Sequence, residues 1–255
     1  VHTEKLSKIY QSKVMQIPLL RGVLGLWDAL VLGFRALTIS ANLQTEEEEE
    51  ELGKAELTLT LLLSLAIGIG IFFLLPAGIG QLVERFFDRS AWLGNLVEGV
   101  VRLGFLILYM WLIGKMEDIE RVFAYHGAEH KVINAFEAGE GLTPEQVKPY
   151  SVEHPRCGTA FLLIVVVVSV VLFTLLGSMP LLWRLISRIL LLPVIAGISY
   201  EYLRWTANHI HQPMVRLLVR PNLALQGLTT REPSLEIIEV SIAAFQAMRQ
   251  AEGKG

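Results

Sequence analysis

The sequence predicts an all-α fold, a polytopic helical membrane protein with about four transmembrane helices, an N-terminal interfacial helix and cytoplasmic helices. Three observations carry this. Hydrophobic residues make up 53% of the 255 positions and charged residues only 18%, and the mean hydropathy is +0.49, too apolar for an ordinary soluble chain. The apolar residues gather into runs close to the roughly 20 residues that a bilayer crossing needs. Lys and Arg concentrate in alternate connections between those runs. The net charge of −3 is set largely by one tract, Glu46 to Glu51, so there is no basic footprint for nucleic acid and no nucleic-acid partner is expected. The single cysteine, Cys157, excludes an intramolecular disulfide, and on the cytoplasmic face it stays a thiol.

Residues 1–54 read as a cytoplasmic N-terminal segment. Its start, Val1-His2-Thr3-Glu4-Lys5, lacks the apolar core of a signal peptide. Val rather than Met at position 1 leaves room for residues upstream, so insertion is expected to rely on the first internal span. Leu19 to Ile39 is apolar but carries Arg21, Asp28 and Arg35 at seven-residue spacing, which puts the three charges on one helix face. An interfacial helix fits that pattern better than a span. Ser40 to Lys54 reads as a linker around the glutamate tract, a solvated charge run rather than a cation site.

Residues 55–114 form the first expected hairpin, with spans at 57–79 and 96–113. Gly68, Gly70, Gly78 and Gly80 suit close helix packing or homo-oligomer contact. Residues 115–159 form a cytoplasmic loop. In it a helix over 116–138 ends at Gly139 and Gly141, and Thr143-Pro144-Glu145-Gln146 has the form of a capping box. Residues 160–205 form the second hairpin, with a Val-rich span at 161–176, a turn at Gly177-Ser178-Met179-Pro180 and a span at 181–205. In 206–255, a cytoplasmic tail, Pro213, Pro221 and Pro233 punctuate an extended stretch. Ser234 then caps an amphipathic helix with Leu235, Ile238, Ile242 and Phe245 on one face, which docks on the protein or on the inner leaflet.

Orientation follows from the basic residues. Lys and Arg number six in residues 1–54, five in 115–159 and six in 204–255, against two at each hairpin tip. Both termini and the central loop are expected to face the cytoplasm, in the bacterial cytoplasmic membrane, with membrane lipids as neighbours.

The central loop carries the chemistry. In Tyr125-His126-Gly127-Ala128-Glu129-His130-Lys131, the two imidazoles lie about 40° apart on one helix face, and Glu129 falls within the same arc of about 100°. His-x-x-Glu-His has the order of the inverted zincin motif, whose Glu serves as general base toward a water on the metal. His154 and Cys157 stand three residues apart just before the third span. Glu201 lies one turn from the cytoplasmic end of the fourth, where an ionisable residue is a functional candidate. Topology alone therefore places His126, His130, His154, Cys157 and Glu201 at one level as metal ligands, with Glu129 as the catalytic base. Imidazole, thiolate and carboxylate together suit Zn. Each residue also has a plainer reading. The two histidines of the motif suit any polar helix face, Cys157 any buried small site, and Glu201 a pair with Arg204. His209 and His211 read as a polar turn after the span, and Arg156 as a partner of lipid phosphates.

Taken together, His126-Gly-Ala-Glu-His-Lys-Val, Tyr150-Ser-x-x-His-Pro-Arg-Cys-Gly-Thr, Ile195-Ala-Gly-Ile-Ser-Tyr-Glu201 and Leu228-Thr-Thr-Arg-Glu-Pro233 resemble the YqhQ-like family. Its members are bacterial integral membrane proteins described as predicted metal-dependent enzymes. The resemblance runs from Ile17 to the last helix, and it implies metal binding more than any particular reaction. Members carry a Gly-Gly-Gln-Ala-Val-x-Glu-Gly segment near the N-terminus that this sequence lacks. Three functions stay open at this level. One is a zinc-dependent hydrolase at the inner membrane face, acting on a peptide or an amphiphile. The second is a non-enzymatic scaffold, channel or carrier with a closed structural metal site. In the third, Cys157 is a nucleophile activated by His154. The substrate is not legible in the sequence.

Overall fold

A computed structural model describes residues 13–45, 54–87 and 91–253; the tract Glu46 to Glu51, read above as a solvated run, lies outside them. The regular secondary structure of the described residues is all helical, without strands. After a 3-10 turn at Lys13–Gln16 come α1 (Leu20–Thr45), α2 (Lys54–Ile69), a π-helical turn at Gly70–Leu74, α3 (Leu75–Phe86), α4 (Ala91–Ile113) and α5 (Glu117–Glu137). They are followed by α6 (Pro144–Val147), α7 (Gly158–Leu176), α8 (Leu181–Leu190), α9 (Leu192–Asn208), α10 (Pro213–Gln226) and α11 (Leu235–Ala251). Among the described residues three helical stretches are long and apolar enough to cross a membrane: Leu62–Phe86, Trp92–Ile113 and Gly158–Leu176. A fourth crossing is made if α8 and α9, bent by 47°, count as one span. The expected all-α polytopic architecture is therefore present. α7 is helical despite six valines, because a segment surrounded by hydrocarbon must pair every backbone group within itself, whatever its β-branched side chains prefer.

The chain divides into two compact units. The first comprises Leu106–Ile164 and Tyr202–Gly255 and is organised around α5. Glu117, Asp118 and Glu120 in the first turn of α5 complement its N-terminal dipole, and Gly139, with φ +78°, ends it. Ala128, Val132 and Ala135 of α5 form a core with Val147, Ile238 and Ile242. The apolar face of α11 thus docks on protein, its start fixed by the Ser234 hydroxyl accepting from the Ile237 N–H. The capping box at Thr143 does not form. The Thr143 hydroxyl donates to Gln146 Oε1 at 3.0 Å instead of accepting from the backbone.

The stretch after α9 is a helix, not an extended tail. Pro213 occupies the start of α10, where a missing N–H costs nothing, and Pro221 lies within it on the exposed side. Val215, Val219, Asn222, Leu225 and Gln226 are buried along one face. Their burial at helical spacing outweighs the one hydrogen bond that Pro221 removes.

The second unit comprises Lys8–Phe105 and Val165–Glu201. α3 and α4 meet at two glycines: a Cβ on Gly80 would stand 2.6 Å from the Gly94 carbonyl oxygen. A Cβ on Gly68, Gly70 or Gly78 would meet nothing within 4 Å, so among the described residues only Gly80 of the four glycines expected to pack makes a close helix contact. Close to the crossing lies an ionic core that the sequence reading did not find. Glu98 accepts from Arg102 at 2.8 Å and from Arg188 at 2.7 and 3.0 Å, and Arg184 Nε reaches it at 3.2 Å. Arg184 also holds Glu84 at 2.5 Å, and Asn95 Oδ1 accepts from both Arg184 and Arg188. Arg102 Nε donates to the Phe72 carbonyl in the π-helical turn at 3.0 Å.

α8 is inverted relative to a soluble amphipathic helix. Arg184 and Arg188 are 2% and 3% exposed, whereas Leu182, Trp183, Ile189 and Leu190 are more than 60% exposed. Only an apolar surrounding makes that arrangement favourable. Removing the central carboxylate leaves three guanidiniums around a neutral group, and breaking a buried ion pair costs about 3–5 kcal/mol. Glu98→Gln is therefore expected to lower the thermal unfolding midpoint of detergent-solubilised protein sharply, while Glu117→Gln, exposed at the start of α5, leaves it nearly unchanged.

Candidate metal centre

His126 and His130 lie one turn apart on α5, with ring centroids 4.4 Å apart. Each presents Nδ1 to a backbone carbonyl: His126 to Thr229 at 2.9 Å and His130 to Val152 at 2.6 Å. A carbonyl oxygen can only accept, so both Nδ1 atoms carry a proton and both Nε2 atoms face away as donors for a cation. The third donor is Cys157 Sγ, 3.3 Å from His126 Nε2. The three ligand atoms lie within 4.8 Å of one another. Cys157 immediately precedes Gly158, the first residue of an apolar span, so the group stands at the end of a membrane-spanning helix.

Several residues besides the three donors hold this geometry. The only side chain that fits at position 127 is hydrogen, because a Cβ there would come within 2.2 Å of the Arg231 carbonyl oxygen. That close approach brings the Thr229 carbonyl to His126. Lys131 is 3% exposed and donates to the carbonyls of Lys148 at 2.7 Å and Tyr150 at 2.6 Å, and it pairs with Glu232 at 2.9 Å. It thereby fixes the loop whose Val152 carbonyl orients His130. Gln226, fully buried, accepts from the His154 N–H and donates to the His154 carbonyl, both at 2.9 Å. The Thr229 hydroxyl meets Thr159 Oγ1 at 3.2 Å. Lys131 and Thr229 both fall within the motifs quoted above, whereas Gln226 carries no sequence signal.

The electrostatics follow from the contacts. Burial opposes ionisation of Cys157, but hydrogen bonds from His126, His130 and Thr159 outweigh it and bring the thiol down to about 5. The same bond to Cys157 is the largest influence on His126 and holds its imidazole above its ordinary range, against burial and with help from the Thr229 carbonyl. Without a cation both shifts favour a thiolate beside a protonated imidazole, and a bound metal would take the place of the Nε2 proton.

Not every predicted ligand joins. His154 is buried with its ring 5.8 Å from that of His130. Its Nδ1 accepts from the Arg156 N–H at 3.3 Å, which leaves the proton on Nε2, an atom without a hydrogen bond and 3.6 Å from Glu137. Burial, then the neighbouring His130, hold His154 below its ordinary range, so it is neutral. Arg156 pairs with Glu137 rather than standing free for lipid phosphate. Glu201 belongs to the second unit. There its carboxylate is engaged by Arg21, with Nε at 2.6 Å and a second bond from the other arm of the guanidinium fork. The partner is Arg21 and not Arg204. His209 packs against Trp205 in the turn after α9, as its position suggested. Glu129 is exposed and lines a cleft of about 550 Å³ together with His126.

A family profile with the description "Protein of unknown function (DUF1385)" matches residues 17–251. A Bacillus subtilis (strain 168) protein, "Uncharacterized protein YqhQ", is 37% identical over 182 residues, which cover 71% of this chain and 57% of that protein. The chain thus matches a little over half the length of that curated relative. No solved structure matches.

In chelator-treated protein the alkylation of Cys157 by iodoacetamide reports its ionisation. A depressed pKa means thiolate above it and thiol below, so the rate is expected to be flat from pH 6.5 to 8.5, on the order expected for a group titrating near 5, and to fall only as the pH drops through that value. In Gly127→Ala, where His126 is pushed off its carbonyl, the midpoint moves up toward that of an ordinary thiol. An ordinary midpoint in the parent chain would refute the thiolate–imidazolium pair.

Proposed function

The chain belongs to the DUF1385 family, and from that premise we propose that it is a zinc-dependent hydrolase of the bacterial cytoplasmic membrane, with its metal at the cytoplasmic interface. The observation that carries the reading is the pair of carbonyl-fixed imidazoles whose Nε2 atoms converge with the Cys157 thiolate. Nitrogen and sulfur donors select zinc over hard, oxygen-seeking cations. Three protein donors leave a fourth position open, which distinguishes a catalytic zinc site from a structural one. His154, the residue that would close it, has its proton on the nitrogen that faces away from Arg156, so it offers no lone pair there.

Zinc held by His126, His130 and Cys157 would supply Lewis acidity and lower the pKa of a water it binds. The protein's own residues do the rest. His126 and His130 keep their orientation through Thr229 and Val152. Glu129, next in sequence to His130 and beside His126 in the cleft wall, would accept the proton of an attacking water and return it to the leaving group. The basic residues counted between the spans support an orientation with this centre on the cytoplasmic side.

Metal analysis of protein purified without chelator tests the reading. One zinc per chain is expected in the parent and in Glu129→Gln, and none in His130→Ala. Hydrolysis of p-nitrophenyl acyl esters should fall about 10²- to 10⁴-fold in Glu129→Gln, the range general-base removal gives. Absence of metal from the parent would overturn the proposal, and loss of metal from Glu129→Gln would remove Glu129 from the role of base.

A further inference from the structure

The cleft beside His126 runs between α5 and α11, and its walls say what fits there. Val122, Val132, Ile133, Ala244, Phe245 and Met248 give it an apolar lining, and Tyr125, His126, Glu129 and Ser241 supply its polar groups. At about 550 Å³ it falls within the usual size of small-molecule sites, about 300–1,000 Å³. We infer that this cleft seats a single-chain amphiphile drawn from the membrane, its apolar chain along Val132, Ile133, Phe245 and Met248 and its polar head beside His126 and Glu129.

Access favours a membrane source. α5 begins at Glu117, four residues after Ile113 ends an apolar span. Ile119, Val122 and His126 then recur at spacings of three and four, so one stripe of α5 leads from the end of the span to the metal ligand. Val122 is 56% exposed on that stripe, and Met116, also 56% exposed, stands where the stripe starts. Met248 at the cleft is 43% exposed. An apolar chain leaving the leaflet therefore keeps apolar contact on its way to the cleft. Cys157, which bonds to His126 of the cleft wall, is adjacent to the first residue of α7, which puts the donor group at the end of an apolar span.

A peptide fits less well. The described residues contain no strand edge to pair with a peptide backbone, and four polar side chains are too few to satisfy its N–H and C=O groups, which are costly to bury unpaired. An alkyl chain has no such groups, and each methylene it buries is favourable. The head group's position against the donors rests on the metal-centre reading; the seating of the chain does not.

The test uses the full chain in phosphatidylcholine nanodiscs, with a monoacylglycerol carrying a diazirine in its acyl chain as the photoprobe and peptide mapping as readout. Adducts are expected within 122–133 and 241–248, saturable by unlabelled monoacylglycerol. Ala244→Trp fills the cleft. Displacing even two methylenes corresponds to about tenfold in affinity, so those adducts should drop by about that factor. Ala243→Trp, on the neighbouring position outside the cleft, should leave them unchanged. Saturable labelling of the parent chain decides the matter even if Ala244→Trp does not fold. Labelling that is confined to the spans, that rises without saturation, or that is displaced by an apolar peptide and not by monoacylglycerol would overturn the inference. Metal content measured on the same samples separates the two readings. Cleft adducts on metal-free protein support the amphiphile site and sink the hydrolase, whereas metal without cleft adducts sinks the amphiphile site alone.

Discussion

Two backbone carbonyls, those of Thr229 and Val152, decide what the paired histidines of α5 can do. An imidazole on an exposed helix face rotates freely and shares its proton between two nitrogens. Here each Nδ1–H is committed to a carbonyl, so each Nε2 is committed to the space that Cys157 also enters. The carbonyls are themselves placed by contacts that have no metal-binding character. Gly127 admits the 229–231 strand of chain, Lys131 ties down residues 148–150, and Gln226 grips the backbone of His154. Loss of an orienting partner of this kind commonly costs 10- to 100-fold in metal affinity, on the order of what loss of a weak ligand costs. The site is therefore a property of the whole first unit rather than of five residues in a row.

The second unit obeys a different constraint. Charged groups within spans need partners, because water is absent. Glu98 with three arginines, Glu84 on Arg184 and Asn95 bonded to two of them give each of these charged groups a hydrogen-bonded partner. The π-helical turn of the first span has a part in this, since its Phe72 carbonyl is where Arg102 Nε ends. The network explains how α8 can turn five large apolar side chains outward and both its arginines inward. It also makes Arg184 and Arg188 poor indicators of sidedness, since they are buried structural groups and not loop charges facing an aqueous phase.

Much of this was legible in the sequence, and the division has a physical basis. Spans announce themselves by length and composition, which are local. So do the His-x-x-Glu-His spacing and the Ser234 cap, because helix geometry maps short intervals onto one face. What depends on contacts across a hundred residues is not written locally. Glu201 has Arg204 one turn away, yet it binds Arg21, 180 positions distant. Glu98 and Arg102 at i, i+4 within a span, and Arg184 and Arg188 at the same interval, were a signal for an ionic core, but nothing local says that the two pairs meet. Pro221 reads as a helix stop, and the buried row from Val215 to Gln226 overrules it. The carbonyl acceptors of the two histidines have no residue signature at all, since every residue carries one.

The remaining question is why five candidate donors yield a three-donor group: Glu201 is taken by Arg21, and His154 supplies the rest of the answer. It is as deeply buried as His130 and close to it, so proximity alone would make it the fourth ligand. A ring nitrogen can bind a cation only through a lone pair, however, and the N–H of Arg156 has claimed the one on Nδ1. The proton left on Nε2 faces Glu137, whose carboxylate is held by the Arg156 side chain. Arg156 therefore acts on His154 through its backbone N–H at Nδ1, while Nε2 has no hydrogen bond. Freeing His154 to coordinate would require breaking that backbone bond or moving the proton off Nε2. The dipeptide Pro155-Arg156 that separates His154 from Cys157 thus keeps the imidazole out of the three-donor group while delivering the thiol.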